Sequence, residues 1–297
     1  MTVVLPDEVL ARYPRFSLYN SPYPAHDRGR AIDLYPAEGA PSPVAGEVRE
    51  TRTVRAPPKP YAPEHDHLIL IDVDESRASV RRSASSGDDG DRIARVLHVD
   101  PAVSAGDRVE VGDPLGSTIR AGFFAPWVDD HLHLGFRSHD ANPYRASGSV
   151  PIEVESTVEP LAWDGTGEVR AVGETFVVLD APAHPEPGRR FAAIGDDSGE
   201  TALDGGLTHY DGGGALAGAS GPVELLGERI GVADGRDLAW DPVRVLANDE
   251  PITGISLSVG RTTAGTKLVH PDHDFSIGDL IEVRIERRPS SGDRTSR

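Results

Sequence analysis

The chain has 297 residues, 30 of them basic and 48 acidic, for a net charge of −18. That balance argues against nucleic acid as a partner, because neutralising phosphates needs a basic footprint. The absence of Cys excludes disulfides and thiolate metal sites, so any metal must be held by His, Asp or Glu.

Only Lys59 and Lys267 are lysines. Acidic excess carried almost without Lys suits a protein that works in molar salt, where the screening length falls to about 3 Å. The N-terminal stretch MTVVLPDEVLARYPRF has no basic leader, and Pro6, Asp7 and Glu8 interrupt it at once. No apolar run approaches the roughly 18 residues of a membrane helix. The expectation is a cytoplasmic protein with no membrane span. Gly and Pro are scattered along the chain, the apolar runs are short and β-branched, and no long amphipathic helix is visible, so the fold should be mainly β.

In chain order, PAHDRGRAIDLYP places His26 in a Pro- and Gly-rich turn and Asp33 at the start of an apolar segment. EHDHLIL carries an HxH pair, His65 and His67, that precedes the strand HLILIDVD (67–74) and is read as an exposed polar pair. SASSGDDGD (83–91) should be a surface loop. VLHVD contains His98, and a turn of the form G-D-x-V-x-x-G-D follows at Gly106, Asp107, Val109, Gly112 and Asp113. HLHLGF (131–136) then forms a strand. In a strand, alternate residues share a face, so His131 and His133 project together while Leu132 and Leu134 point into an apolar layer. Such a pair serves a metal or catalytic site, or forms an exposed polar face.

ASGSV (146–150) marks the expected domain boundary, giving 1–148, a β-rich 149–288, and a disordered tail 289–297. In the second domain, ETFVVLDA (174–181), ISLSVG (255–260) and DLIEVRIE (279–286) read as strands, and DGGGALAGASG (211–221) as a surface loop. Trp163, Phe176, Phe191 and Trp240 are expected in its core. His270 and His273, with Asp272 and Asp274, could bind a cation but read first as a solvated acidic turn. Two internal echoes, GEVRE (46–50) with GEVRA (167–171) and SAGDRVEVGD (104–113) with SIGDLIEVRI (276–285), fit a second β-domain. This half suggests no function.

A loop His, an Asp on the strand it leads into, and one His of the later pair make three protein ligands, the open form of a zinc site. The order HDRGRAIDLYP, PVAGEV, HLILIDV, VLHVDPAVSAGDRVEVGDPLGS, HLHLGFR resembles the lysostaphin/LytM-type zinc metallopeptidases, which are built on the duplicated hybrid motif. The resemblance covers about residues 20–140. It implies a duplicated-hybrid-motif β-domain with zinc on His26, Asp33 and His133, and with His98 and His131 as catalytic residues. It also implies hydrolysis of a peptide or related amide bond by metal-activated water. One departure stands out: the family's first motif is the tighter H-x-G-x-D, whereas six residues separate His26 from Asp33 here, with Gly29 keeping a turn. No HExxH helix is present to supply a glutamate base, so the two histidines would have to serve. Two other readings of the same residues are a non-catalytic β-scaffold for protein contact and a His phosphocarrier. The oligomeric state is not legible.

Overall fold

A computed structural model describes residues 2–26, 28–77, 80–82 and 92–288. The expected surface loop 83–91 and the expected tail 289–297 lie outside the described residues. The chain is mainly β, with the single helical turn Asp7–Leu10 as its only α-helix among the described residues. Among the described residues no helix is long and apolar enough to cross a membrane.

Two compact units emerge. The first runs to Thr157 and also takes in residues 186–191 and 259–263, so the boundary falls later than 148/149 and the second half is not contiguous. The reason is local pairing. Beyond ASGSV, the strand Ile152–Val154 still pairs in parallel with Val3–Leu5.

The first unit contains β1 (Val3–Leu5), β2 (Arg15–Ser17), β3 (Ala31–Tyr35), β4 (Gly46–Arg55), β5 (His65–Val73), β6 (Arg81–Arg82), β7 (Arg92–Leu97), β8 (Val99–Pro101), β9 (Arg108–Val109), β10 (Gly116–Thr118), β11 (Leu132–Ser138) and β12 (Ile152–Val154). Its main sheet is antiparallel in the order β2-β3-β11-β7-β5-β4-β9, with Val259–Gly260 paired outside β2. Alternation sets its two faces. Ile32, Leu34, Ile69, Ile71, Ala94, Val96, Leu132, Leu134 and Phe136 all lie on one face and are wholly buried. Each large side chain among them contributes about 1.5–3 kcal/mol of transfer free energy. The other face carries Asp33 opposite His133, and His133 opposite Leu97.

The second unit holds one ten-stranded sheet built on antiparallel pairings. Trp163 joins its core, Trp240 packs against that core, and Phe176 is half-buried beneath Lys267. Phe191 instead belongs to the first unit, edge-on to Phe16 with ring centroids 5.0 Å apart. The expected loop 211–221 is a strand, Gly212–Leu225, paired with Glu228–Trp240. Gly213 serves close approach: a Cβ there would collide with the Trp240 ring and sit 2.7 Å from the Asp204 carbonyl oxygen. The His270–Phe275 turn is exposed at Asp272 and Asp274, and His273 donates from Nε2 to the Gly173 carbonyl at 2.9 Å.

The internal echoes have matching backbone bonds. Gly106 N–H donates to Val48 O and Val48 N–H to Asp107 O, both at 2.8 Å. Gly278 and Val169 with Asp279 repeat this at 2.9 Å. Each turn is closed by its own carboxylate, Asp107 accepting from Ser104 N–H and Asp279 from Ser276 N–H. Positive φ at both positions, 91° at Gly106 and 93° at Gly278, explains why each turn needs glycine.

Candidate metal centre

Asp33 and His133 face each other across β3 and β11, because directly opposed residues of an antiparallel pair share a face. His133 Nδ1 lies 2.9 Å from Asp33 Oδ1. His26 reaches the same point from the preceding turn. Arg28 and Gly29, both at φ 58°, curl the chain in the left-handed region, and Gly29 O accepts from Ile152 N–H at 2.8 Å. The longer spacing to Asp33 is taken up by this curl. His26 Nε2 ends 3.2 Å from His133 Nδ1 and 3.3 Å from Asp33 Oδ1. His26, Asp33 and His133 thus offer three ligand atoms within 4.8 Å of one another, all on buried residues.

Tautomers are fixed by carbonyls, which can only accept. His26 Nδ1–H donates to Leu18 O at 2.8 Å, leaving the Nε2 lone pair aimed at the cluster. His131 Nδ1–H donates to Asp129 O at 2.8 Å, leaving Nε2 3.5 Å from Asp33 Oδ1. His131 sits one residue before β11, yet keeps the face that the HxH alternation assigns to it.

Burial pushes the His131 imidazole down to about 4, against the pull of Asp33, and pushes His133 down to about 3. Burial opposes ionisation of Asp33, but His131, His26 and the His133 hydrogen bond outweigh it and hold the carboxyl well below the usual range. At neutral pH His131 and His133 are neutral beside the Asp33 carboxylate, and imidazole with carboxylate is a donor set suited to a divalent cation. Converging lone pairs without a proton or cation between them would repel.

Both histidines have folded values below the ordinary 6.5, so the unfolded chain takes up protons first. Stability they contribute is complete above pH 6.5 and falls as pH drops towards 4. With chelator present, the urea midpoint should decline over that window less steeply in His131→Leu than in the wild type. Equal declines would contradict this.

His98 completes the group. Its ring centroid is 5.0 Å from His131 and 5.7 Å from His133. It stands between β7 and β8 at φ 67°, a left-handed conformation costing a non-glycine about 1–2 kcal/mol. Asp66 offsets this cost by accepting twice: Oδ1 from the His98 backbone N–H at 3.1 Å and Oδ2 from Nδ1–H at 2.6 Å. Burial opposes the Asp66 carboxylate, but the His98 hydrogen bond outweighs it and lowers its pKa.

All five residues singled out in the sequence therefore meet in one place. Two features escaped that reading. Asp66 is wholly buried between the exposed His65 and the half-buried His67, so strand alternation turns the middle of that HxH inward. The second is the segment 120–128. Phe124 packs 4.7 Å from His131 and 5.2 Å from His98, and Phe123 6.2 Å from His98. Arg120 braces this wall by donating to the Ala125 and Pro126 carbonyls. The apolar pair in RAGFFAPW was the available signal.

The family model described as "Domain of unknown function (DUF8155) N-terminal domain" matches residues 4–154, and its C-terminal counterpart matches 159–286. No curated protein and no solved structure matches the chain. The chain belongs to the DUF8155 family and spans both of its domains.

Proposed function

We propose that the first unit is a zinc-dependent hydrolase of the LytM metallopeptidase kind, acting on a peptide or related amide bond. The observation that carries this reading is the convergence of His26 Nε2, Asp33 Oδ1 and His133 Nδ1 beside two further histidines. These three atoms would hold the ion. Bound zinc supplies a Lewis acid that polarises an amide carbonyl and lowers the pKa of water to about 7.

The remaining work belongs to side chains. His98, with Nδ1–H committed to Asp66, presents Nε2 to the site as a proton acceptor. The Asp66 carboxylate stabilises the imidazolium formed, so His98 can pass the same proton to the leaving amine. His131, neutral with its Nε2 lone pair facing the cluster, accepts a hydrogen bond from the attacking water and orients it. Phe123 and Phe124 exclude bulk water from both imidazoles, strengthening each of these interactions.

The test is turnover of a peptide library by the full chain in molar salt with zinc restored. Cleavage that chelator abolishes and zinc recovers is expected. Zinc binding without cleavage of any member would favour the scaffold reading, and a phosphohistidine in place of cleavage the carrier reading.

A further inference from the structure

Among the described buried cations of the first unit, Arg92 and Arg137 have hydrogen-bond partners and Arg95 has none. Arg92 pairs with Glu75. Arg137, wholly buried, donates to Ser149 Oγ and to the Arg145 carbonyl. Arg95 is 6% exposed, its Nε is buried without a hydrogen-bond partner, and no carboxylate pairs with it among the described residues. Burial and the neighbouring Arg137 charge pull it down to about 10, so it remains a cation at neutral pH. Holding an unpaired charge inside a protein is costly unless something else compensates. With 48 acidic residues in the chain, the lack of a partner is not for want of carboxylates.

The register shows what Arg95 faces. It stands between Gly135 on β11 and Leu70 on β5, and Gly135 stands opposite Ala31 on β3. This is the face of Asp33 and His133, one pleat repeat along, or about 6–7 Å. Gly135 leaves room there: a Cβ would point at Ser149 Oγ, 3.4 Å away. Ser149 in turn lines a surface cleft of about 340 Å³, together with Gly148, Ala25, Arg28 and Arg30. Arg137 Nε lies behind Gly148, 4.0 Å from where its Cβ would be. Ala25, Arg28 and Arg30 belong to the turn that delivers His26. The cleft therefore adjoins the turn that carries His26, and the only charged residues in its described lining are the cations Arg28 and Arg30.

We infer that this cleft is a carboxylate subsite of the hydrolase, with Arg28 and Arg30 at its rim, Ser149 in its wall, and Arg137 and Arg95 supplying buried positive charge. It rests on the hydrolase reading for its role and narrows the substrate class to amides bearing a carboxylate near the scissile bond. A charge-assisted bond to a buried guanidinium is strong and is screened little even in concentrated salt. That persistence suits a protein of this composition better than an exposed Lys would.

The experiment is calorimetric titration of the full chain, zinc-free so that a carboxylate cannot simply ligate the ion, at fixed ionic strength. The probes are N-acetyl-glycyl-glycine, its C-terminal amide, N-acetyl-aspartyl amide and inorganic phosphate. One or both carboxylates should bind and the amide should not; which of the two binds tells an α-carboxylate from an acidic side chain. Arg95→Met should weaken carboxylate binding by about tenfold or more, and Arg30→Gln by a smaller factor. Should Arg95→Met fail to fold, Arg30→Gln on the rim decides. Equal binding of acid and amide, tighter binding of phosphate than of either carboxylate, or wild-type affinity in the variants would overturn the inference. Because zinc is absent, a failure of the metal reading leaves this outcome untouched. Zinc binding without carboxylate binding would remove the subsite alone.

Discussion

The His133→Ala protein should hold zinc more weakly than the wild type by more than about 100-fold, since even changes outside the ligand shell cost 10–100-fold. His133 Nδ1 is the atom nearest both other ligands, 2.9 Å from Asp33 Oδ1 and 3.2 Å from His26 Nε2. Without it two donors remain, too few for a retained ion. The fold should survive, because Leu132 and Leu134 hold the opposite face of β11 in the core. Competition against a chromophoric chelator, with circular dichroism as the check on folding, measures both. Wild-type zinc affinity in this variant would remove His133 from the ligand set.

His98→Ala and His131→Ala should keep the ion and lose turnover by about 10²–10⁴-fold, the usual loss when one acid–base group is removed. That is about 3–5 kcal/mol of transition-state stabilisation. The division rests on geometry: His98 is committed to Asp66 through Nδ1, and His131 stands outside the three atoms that lie within 4.8 Å of one another. Asp66→Asn should lower kcat by about 10–100-fold with zinc content unchanged, as for an orienting carboxylate behind a functional His. Zinc content and single-turnover rates on a substrate found in the library separate these outcomes. If His131→Ala lost zinc as completely as His133→Ala, the HxH pair would be chelating as a unit, leaving His98 as the only histidine acting on the water.

Much of this site was legible because it uses strong local signals. Period-two alternation put His131 and His133 on one face, and it holds although His131 precedes the strand. The mainly β architecture followed from short β-branched runs. Other parts depend on tertiary context. Asp66 looked like filler between two histidines, and only the pairing of Leu68 with Leu97 brings it under His98. The Gly-rich run at 211–221 carries composition typical of a loop, yet it pairs as a strand with Glu228–Trp240, and Gly213 lies close against the Trp240 ring. Phe191 returns to the first unit through a non-contiguous segment that no local pattern announces. Arg95 reads as an ordinary strand cation, and its isolation appears only when every neighbour is in place.

Elemental analysis of the purified chain, dialysed against trace zinc in high salt, tests the central claim most directly. One zinc per chain, lost on His133→Ala and retained on His98→Ala, is the predicted result. Zinc near zero in the wild type, with the chain folded, would contradict the account.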